Sequence, residues 1–406
     1  MTPLVYSLIC TQIALGQAIS LGTQEQVANH GNLALRHEKH MRTIEVPVYN
    51  RLDKQHLEIK VTVGTPPQKF SIMPDTGSPF TWVPSAASPA CAPNCPLPVW
   101  NLNASSTAVD IHAVFNASYG LTPDNIMLGE FYNDTLGIGG VALPQFPVAL
   151  VNVIDTIYDA QIWGIVGLGS QLQNRNVPGS VILWENLYKL GHIGKRLFSV
   201  WLNHQDAKKG TILFGGVDKS KAHGALKSTP LTSVVQTPHG DDFTEWSVNL
   251  TSLTRRVDQA GSEEPLLRTT YNAIVDTGSP NMYVPQYLYD TLAAPLNVTL
   301  RTYRNTSYVP CSLRSWSGSL HFTFAGKDGA PGPQVRVPYS EIIYPFGMPA
   351  NLGEVRSEEG TALCYLGVLS NNGSGIFLLG NSFIRSAYVV YDADNLELRM
   401  AQSRWA

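Results

Sequence analysis

An all-β chain in two lobes that face each other across a cleft is the fold this sequence predicts, on three observations. Short runs alternate apolar and polar residues, as in Leu57-Glu58-Ile59-Lys60-Val61-Thr62-Val63, the two-residue period of a half-buried strand. Turn formers punctuate the chain, with 34 glycines and 27 prolines, while only 15% of residues are charged against roughly 25% in an average soluble protein. Lastly, a ten-residue segment occurs twice, 201 positions apart, which marks a duplicated half rather than a many-unit repeat. At 406 residues the chain is long enough for two cores, and its 44% hydrophobic content excludes a disordered protein. With 28 basic against 31 acidic residues the net charge is −3, and no basic cluster exists, so nucleic acid is not an expected partner.

Taken in order, the first twenty residues carry no charged side chain and hold an apolar stretch from Leu4 to Gly16. Small residues at Gly16 and Ala18 have signal-peptidase spacing, so 1–18 is expected to be a signal peptide and the protein secreted. A vacuolar or other acidic secretory-pathway compartment is the alternative destination. Residues 19–42 are polar and include Arg36, His37, Lys39, His40 and Arg42, which on composition alone is a solvated arm. The first lobe is expected over 43–225 and the second over 226–406, meeting near a Lys-, Ser- and Gly-rich stretch at 216–232. Strand-like pieces recur from Trp246 to Leu250 and from Tyr388 to Tyr391. Helical periodicity is confined to 181–194 and to Tyr287 through Ala294, while 254–268 reads as a charged loop opening on Arg255-Arg256 and 327–338 as irregular. No later stretch approaches the roughly 20 apolar residues of a membrane span, and Met400 to Ala406 lacks a lipid-anchor tail. A soluble monomer without a membrane anchor is therefore expected.

Cys10 falls in the expected signal peptide, and the remaining Cys91, Cys95, Cys311 and Cys364 permit three pairings. Joining Cys91 to Cys95 and Cys311 to Cys364 keeps each bridge within one half of the chain. Zinc competes for the same residues, but no histidine pair accompanies them at ligand spacing, so no metal is expected. Asn-x-Ser/Thr sequons begin at Asn103, Asn116, Asn133, Asn249, Asn297, Asn305 and Asn372, and in a signal-bearing chain several are expected to be glycosylated.

The duplicated segment carries the chemistry. Its first copy is Asp75-Thr76-Gly77-Ser78-Pro79-Phe80-Thr81-Trp82-Val83-Pro84 and its second Asp276-Thr277-Gly278-Ser279-Pro280-Asn281-Met282-Tyr283-Val284-Pro285, with seven of ten positions identical. A weaker echo sets Ile165-Val166-Gly167 after the first copy and Leu378-Leu379-Gly380 after the second. An apolar strand running into a glycine-punctuated turn puts each aspartate at a loop tip on the cleft floor. Two carboxylates in contact cannot both be ionised cheaply, so they share a proton and titrate as a pair. The ionised member can take a proton from a water held between them while the protonated one donates to a carbonyl oxygen. That is amide hydrolysis with no cofactor, metal or covalent intermediate. Thr76 and Thr277 offer hydroxyls to fix the loops together, Ser78 and Ser279 are expected to bond the outer carboxylate oxygens, and Gly77 and Gly278 let backbone N–H groups approach.

These residues resemble the pepsin family of aspartic endopeptidases, fungal secreted members in particular, over about Glu58 to Ala401. The resemblance also rests on Val63-Gly64-Thr65-Pro66-Pro67-Gln68, on Ile165-Val166-Gly167-Leu168-Gly169, on Leu213-Phe214-Gly215-Gly216-Val217-Asp218 and on the stretch from Phe377 to Arg385. It implies a bilobal pepsin-like fold, peptide or protein substrates, an acidic optimum and a preference for bulky apolar side chains at the cleavage site. It makes Asp75 and Asp276 the catalytic pair, Tyr119 and Gly120 part of a flap, Trp82 the tyrosine's partner, and Ile162 and Ile165 the lining of an apolar subsite. It makes 19–42 a short propeptide whose cations cover the carboxylates, and it places the two local cysteine pairs as disulfides. The chain departs from the family at Pro74, Pro79 and Pro280 and at a bulkier flap tip, Leu121-Thr122-Pro123-Asp124-Asn125. A catalytically inactive pepsin-like binding or inhibitory protein is the alternative, and such a protein would have lost an aspartate or distorted its loop.

Overall fold

The computed structural model describes residues 42–406, apart from 89–90, 92–94, 96–97, 120–125, 153–163, 175–180, 257–262 and 302–305. The expected signal peptide with Cys10, the arm up to residue 41, Gly120 and the flap tip, Ile162 and the Asn305 sequon lie outside the described residues.

Strands dominate and the fold is all-β and bilobal. A 13-stranded sheet contains the first half, and an 8-stranded sheet forms the body of the second. The alternation at Leu57–Val63 becomes the strand His56–Val63, with Leu57, Ile59, Val61 and Val63 all buried. That strand pairs with Gln68–Asp75 on one side, and Val61 lies opposite Ile138 of the long strand Ile126–Ile138 on the other, which closes the first half into a barrel. Val109–Ser118 and Ile126–Ile138 form a hairpin, with Ser118 opposite Ile126 at its described end.

The duplication is visible as a repeated strand crossing. In the first half Gln68–Asp75 runs parallel to Ile165–Gly167, with Asp75 opposite Gly167. In the second Tyr271–Val275 runs parallel to Phe377–Leu379. On the far side of each short strand lies the strand that follows the aspartate loop, Trp82–Pro84 in one half and Met282–Val284 in the other. The echoed glycines follow from this crossing. A Cβ on Gly167 would strike the backbone of Pro79, and one on Gly380 the carbonyls of Ser279 and Asn281.

An aromatic cluster joins the halves beneath the cleft. Trp246 packs on Phe243, Tyr391, Phe198 and Trp184 at centroid distances of 4.2, 5.3, 6.0 and 6.3 Å. Both indole N–H groups donate to the Leu168 carbonyl, at 2.9 Å from Trp246 and 3.2 Å from Trp184. Each such ring contributes about 1.5–3 kcal/mol by burial, so the floor of the cleft rests on a rigid base. The strands Ala387–Asp392 and Glu397–Ser403 pair into the 13-stranded sheet beside Leu197–Trp201 and Ala222–Pro230.

Elsewhere the structure corrects the sequence reading. The expected irregular segment at 327–338 contains the strand Gln334–Pro338, paired with Ser319–Phe324. Much of the expected charged loop at 254–268 is a hairpin between Ser247–Arg256 and Glu263–Pro265. The stretch at 216–232, where the lobes are expected to meet, holds the strand Ala222–Pro230, which leaves that expectation as it stood. The two helices are shorter or shifted, at Leu183–Lys189 and Gln286–Ala293. Cys91 is bonded to Cys95 and Cys311 to Cys364, the local pairing. Asn103, Asn116, Asn297 and Asn372 are exposed, whereas Asn133 and Asn249 are half-buried within strands.

Candidate active site

Asp75 ends the strand Gln68–Asp75, and Asp276 follows Tyr271–Val275 directly, so matching strands deliver the two carboxylates to one place. They are 4% and 8% exposed. The loops are tied by reciprocal hydrogen bonds. Thr76 N–H donates to Thr277 Oγ1 (3.1 Å) and Thr277 N–H to Thr76 Oγ1 (3.0 Å). The same hydroxyls donate onward, Thr76 to the Val275 carbonyl (3.0 Å) and Thr277 to that of Pro74 (2.8 Å). Each loop thus holds the other through the residue before its aspartate. Pro74 fits because this bond uses its carbonyl. Val275 N–H donates to the Trp246 carbonyl (3.0 Å), a bond the proline in the other half cannot make.

Gly77 N–H donates to Asp75 Oδ1 and Gly278 N–H to Asp276 Oδ1, each at 2.8 Å. Glycine is required for a second reason, because each carboxylate leans over the opposite loop. A Cβ on Gly77 would lie 2.9 Å from the Asp276 carboxyl carbon, and one on Gly278 would overlap the Asp75 carboxylate. Burial is the main cause that holds the Asp75 proton well above the usual carboxylate range; the nearby Asp276 charge and the hydrogen bond between the two carboxyls add to it. Asp276 is also raised by burial, against the Gly278 N–H and the bond to Asp75. The pair holds a shared proton and titrates as a unit.

The serines differ from expectation. Ser78 Oγ lies 3.3 Å from the Tyr119 hydroxyl and accepts from Phe80 N–H (3.3 Å), while Ser279 Oγ donates to the Asn281 carbonyl (3.2 Å). Among the described contacts neither hydroxyl bonds a catalytic carboxylate. Trp82 Nε1 donates to the Tyr119 hydroxyl (3.1 Å), which brings the hairpin against the strand behind the Asp75 loop. Ile165 is buried opposite Trp82 and lines the cleft with Met73 and Met127.

The cleft encloses about 670 Å³, with both aspartates, Tyr119 and Tyr283 in its wall. Besides the aspartates and the tyrosines, the ionisable side chains among the described residues that line it are Lys54, His56 and Glu245. Sequence reasoning missed all three, since none sits in a motif. Strand register was the only available signal, because the ladder that sets Ile59 opposite Ile72, continued three residues, brings His56 level with Asp75.

Two buried carboxyls on duplicated glycine loops, tied across a cleft between β lobes, define the aspartic peptidase class of fold and site. A family model described as eukaryotic aspartyl protease matches residues 57–403. The chain is 32% identical over 356 residues to a probable aspartic-type endopeptidase OPSB of Arthroderma benhamiae, covering 85% of this chain and 68% of that protein. It is 26% identical over 401 residues to the aspartic proteinase yapsin-3 of Saccharomyces cerevisiae (94% and 72% covered) and 29% identical over 360 residues to candidapepsin-3 of Candida albicans (85% and 79%). This chain belongs to the eukaryotic aspartyl protease family and is an aspartic-type endopeptidase.

Proposed function

We propose that Asp75 and Asp276 are the catalytic pair of a secreted, acid-acting endopeptidase. The observation that carries this reading is the placement of two buried carboxyls, on loops tied to each other by reciprocal hydrogen bonds, at the floor of the cleft. The ionised carboxyl removes a proton from water as the water oxygen attacks the peptide carbonyl carbon, and the protonated carboxyl gives its proton to the carbonyl oxygen. Collapse of the resulting diol breaks the C–N bond and returns a proton to the leaving amine. The intact geometry of both loops favours turnover over an inactive binding protein. Two disulfides and four exposed sequons support passage through the secretory pathway. Met73, Ile165, Ile274, Ile376 and Leu378 in the cleft wall support bulky apolar side chains beside the scissile bond. Lobe boundaries near 225, a propeptide over 19–42 and Tyr119 as the flap residue belong to the same reading.

The test is hydrolysis of a denatured protein substrate across pH. The expected profile is a bell with an acidic maximum, blocked by a statine-type analogue of the tetrahedral species. Asp75→Asn and Asp276→Asn should each lose at least about 10²–10⁴-fold in kcat with an unchanged fold by circular dichroism. Either single variant keeping a tenth of the wild-type rate would refute the assignment.

A further inference from the structure

The pseudo-symmetry puts two chemically opposite residues at equivalent places beside the pair. The ladder that sets Ser247 opposite Ile274, continued two residues, brings Glu245 level with Asp276, just as the first-half ladder brings His56 level with Asp75. Both side chains line the cleft. Their surroundings differ. His56 lies 3.3 Å from Glu58 Oε1, and Lys54 lies 3.8 Å from the same carboxylate, so the basic side chains at that end already have a carboxylate within the protein. Glu58 is in turn held by Arg51 at 3.0 Å.

Glu245 has no such answer. Its side chain is half-buried and takes a hydrogen bond from the Ser247 side chain, and among the described residues no cation pairs with it. Its backbone is fixed: the Glu245 carbonyl accepts from Ser233 Oγ (2.5 Å) and its N–H donates to the same hydroxyl (3.1 Å). A half-desolvated carboxylate held rigidly in a substrate cleft gains most from a cation that arrives with the substrate.

We propose that Glu245 is a specificity-determining residue that receives a lysine or arginine side chain of the substrate, on the Asp276 side of the cleavage point. The proposal rests on the proteolytic reading above and adds a charge preference to its apolar one. Burial raises the Glu245 proton affinity, so the preference grows as pH rises within the working range.

The experiment is a set of peptides of one sequence, each carrying Lys, Gln or Glu at a single position flanking the scissile bond, cleaved by wild type, Glu245→Gln and Glu245→Lys. The readout is the ratio of kcat/KM for Lys over Gln, in which a general loss of activity cancels. Wild type should favour Lys by about tenfold at one position, as a partly desolvated charge pair does. That ratio should be larger at about pH 5.5 than at about pH 3.5. It should fall toward one in Glu245→Gln and invert in favour of Glu in Glu245→Lys. No Lys preference at any position, or a preference that survives Glu245→Gln, overturns the proposal. A preparation that cleaves none of the peptides at any pH instead refutes the proteolytic reading itself.

Discussion

Glu341 shows how one residue can tie this protein to acid. It is 3% exposed and pushed up to about 7, with burial the first cause and the Arg385 guanidinium pulling back. A carboxyl held above its unfolded value favours the folded state while protonated, so its contribution is full in acid and is lost as pH climbs through about 7. The shift corresponds to at most about 3 kcal/mol. The raised catalytic pair acts in the same direction. Urea melts of Asp75→Asn protein, which removes self-digestion, should therefore show stability falling between about pH 4.5 and about pH 7. Adding Glu341→Gln should flatten that fall, and an unchanged slope would assign the loss elsewhere. None of this was legible in the sequence, where Glu341 is one acid among many in the run Tyr339-Ser340-Glu341. Asp75 and Asp276 were legible because duplication printed their surroundings twice. The serine hydroxyls point elsewhere than expected because Ser78 meets Tyr119, brought in from 41 residues away, and Ser279 turns to the Asn281 carbonyl.

Strand elements were legible wherever alternation ran unbroken, as at Leu57–Val63, and hidden where punctuation interrupted it. Val335 and Val337 are buried on alternate positions of Gln334–Pro338, but Pro331, Gly332 and Pro333 just before them suggested a loop. The linked aspartate loops are the element on which the site depends. Thr76→Val would leave Thr277 N–H without its acceptor, in a place closed to water, and would leave the Val275 carbonyl with only the longer bond from Tyr391 among its side-chain donors. Buried groups stripped of partners cost about 1–3 kcal/mol each, so the variant should melt lower and lose kcat more than it changes KM. Thr76→Ser, which restores the hydroxyl, should recover most of both. Equal kcat in Thr76→Val and wild type, measured on one peptide, would mean that the loops hold their geometry without this bond.

For the molecule as a whole, the two halves are not independent, since strands from the far end of the chain lie under the cleft. Tyr391, in Ala387–Asp392, stacks on Phe198 at 4.7 Å and 9°, packs edge-on against Trp246, and donates its hydroxyl to the Val275 carbonyl at 3.4 Å. Val275 is the residue before Asp276. A chain ending at residue 386 should therefore remain sensitive to added trypsin and show no peptidase activity. A compact, active truncated chain would mean that the last strands are an ornament of the sheet. The arrangement also sets a clock. A ribosome adds about 5–20 residues per second, and a strand cannot take its place before it has left the exit tunnel. Both aspartates are made long before Ala387–Asp392, yet the floor that holds the second of them is complete only when that strand arrives. The catalytic floor is thus among the last parts of the molecule that the growing chain can finish.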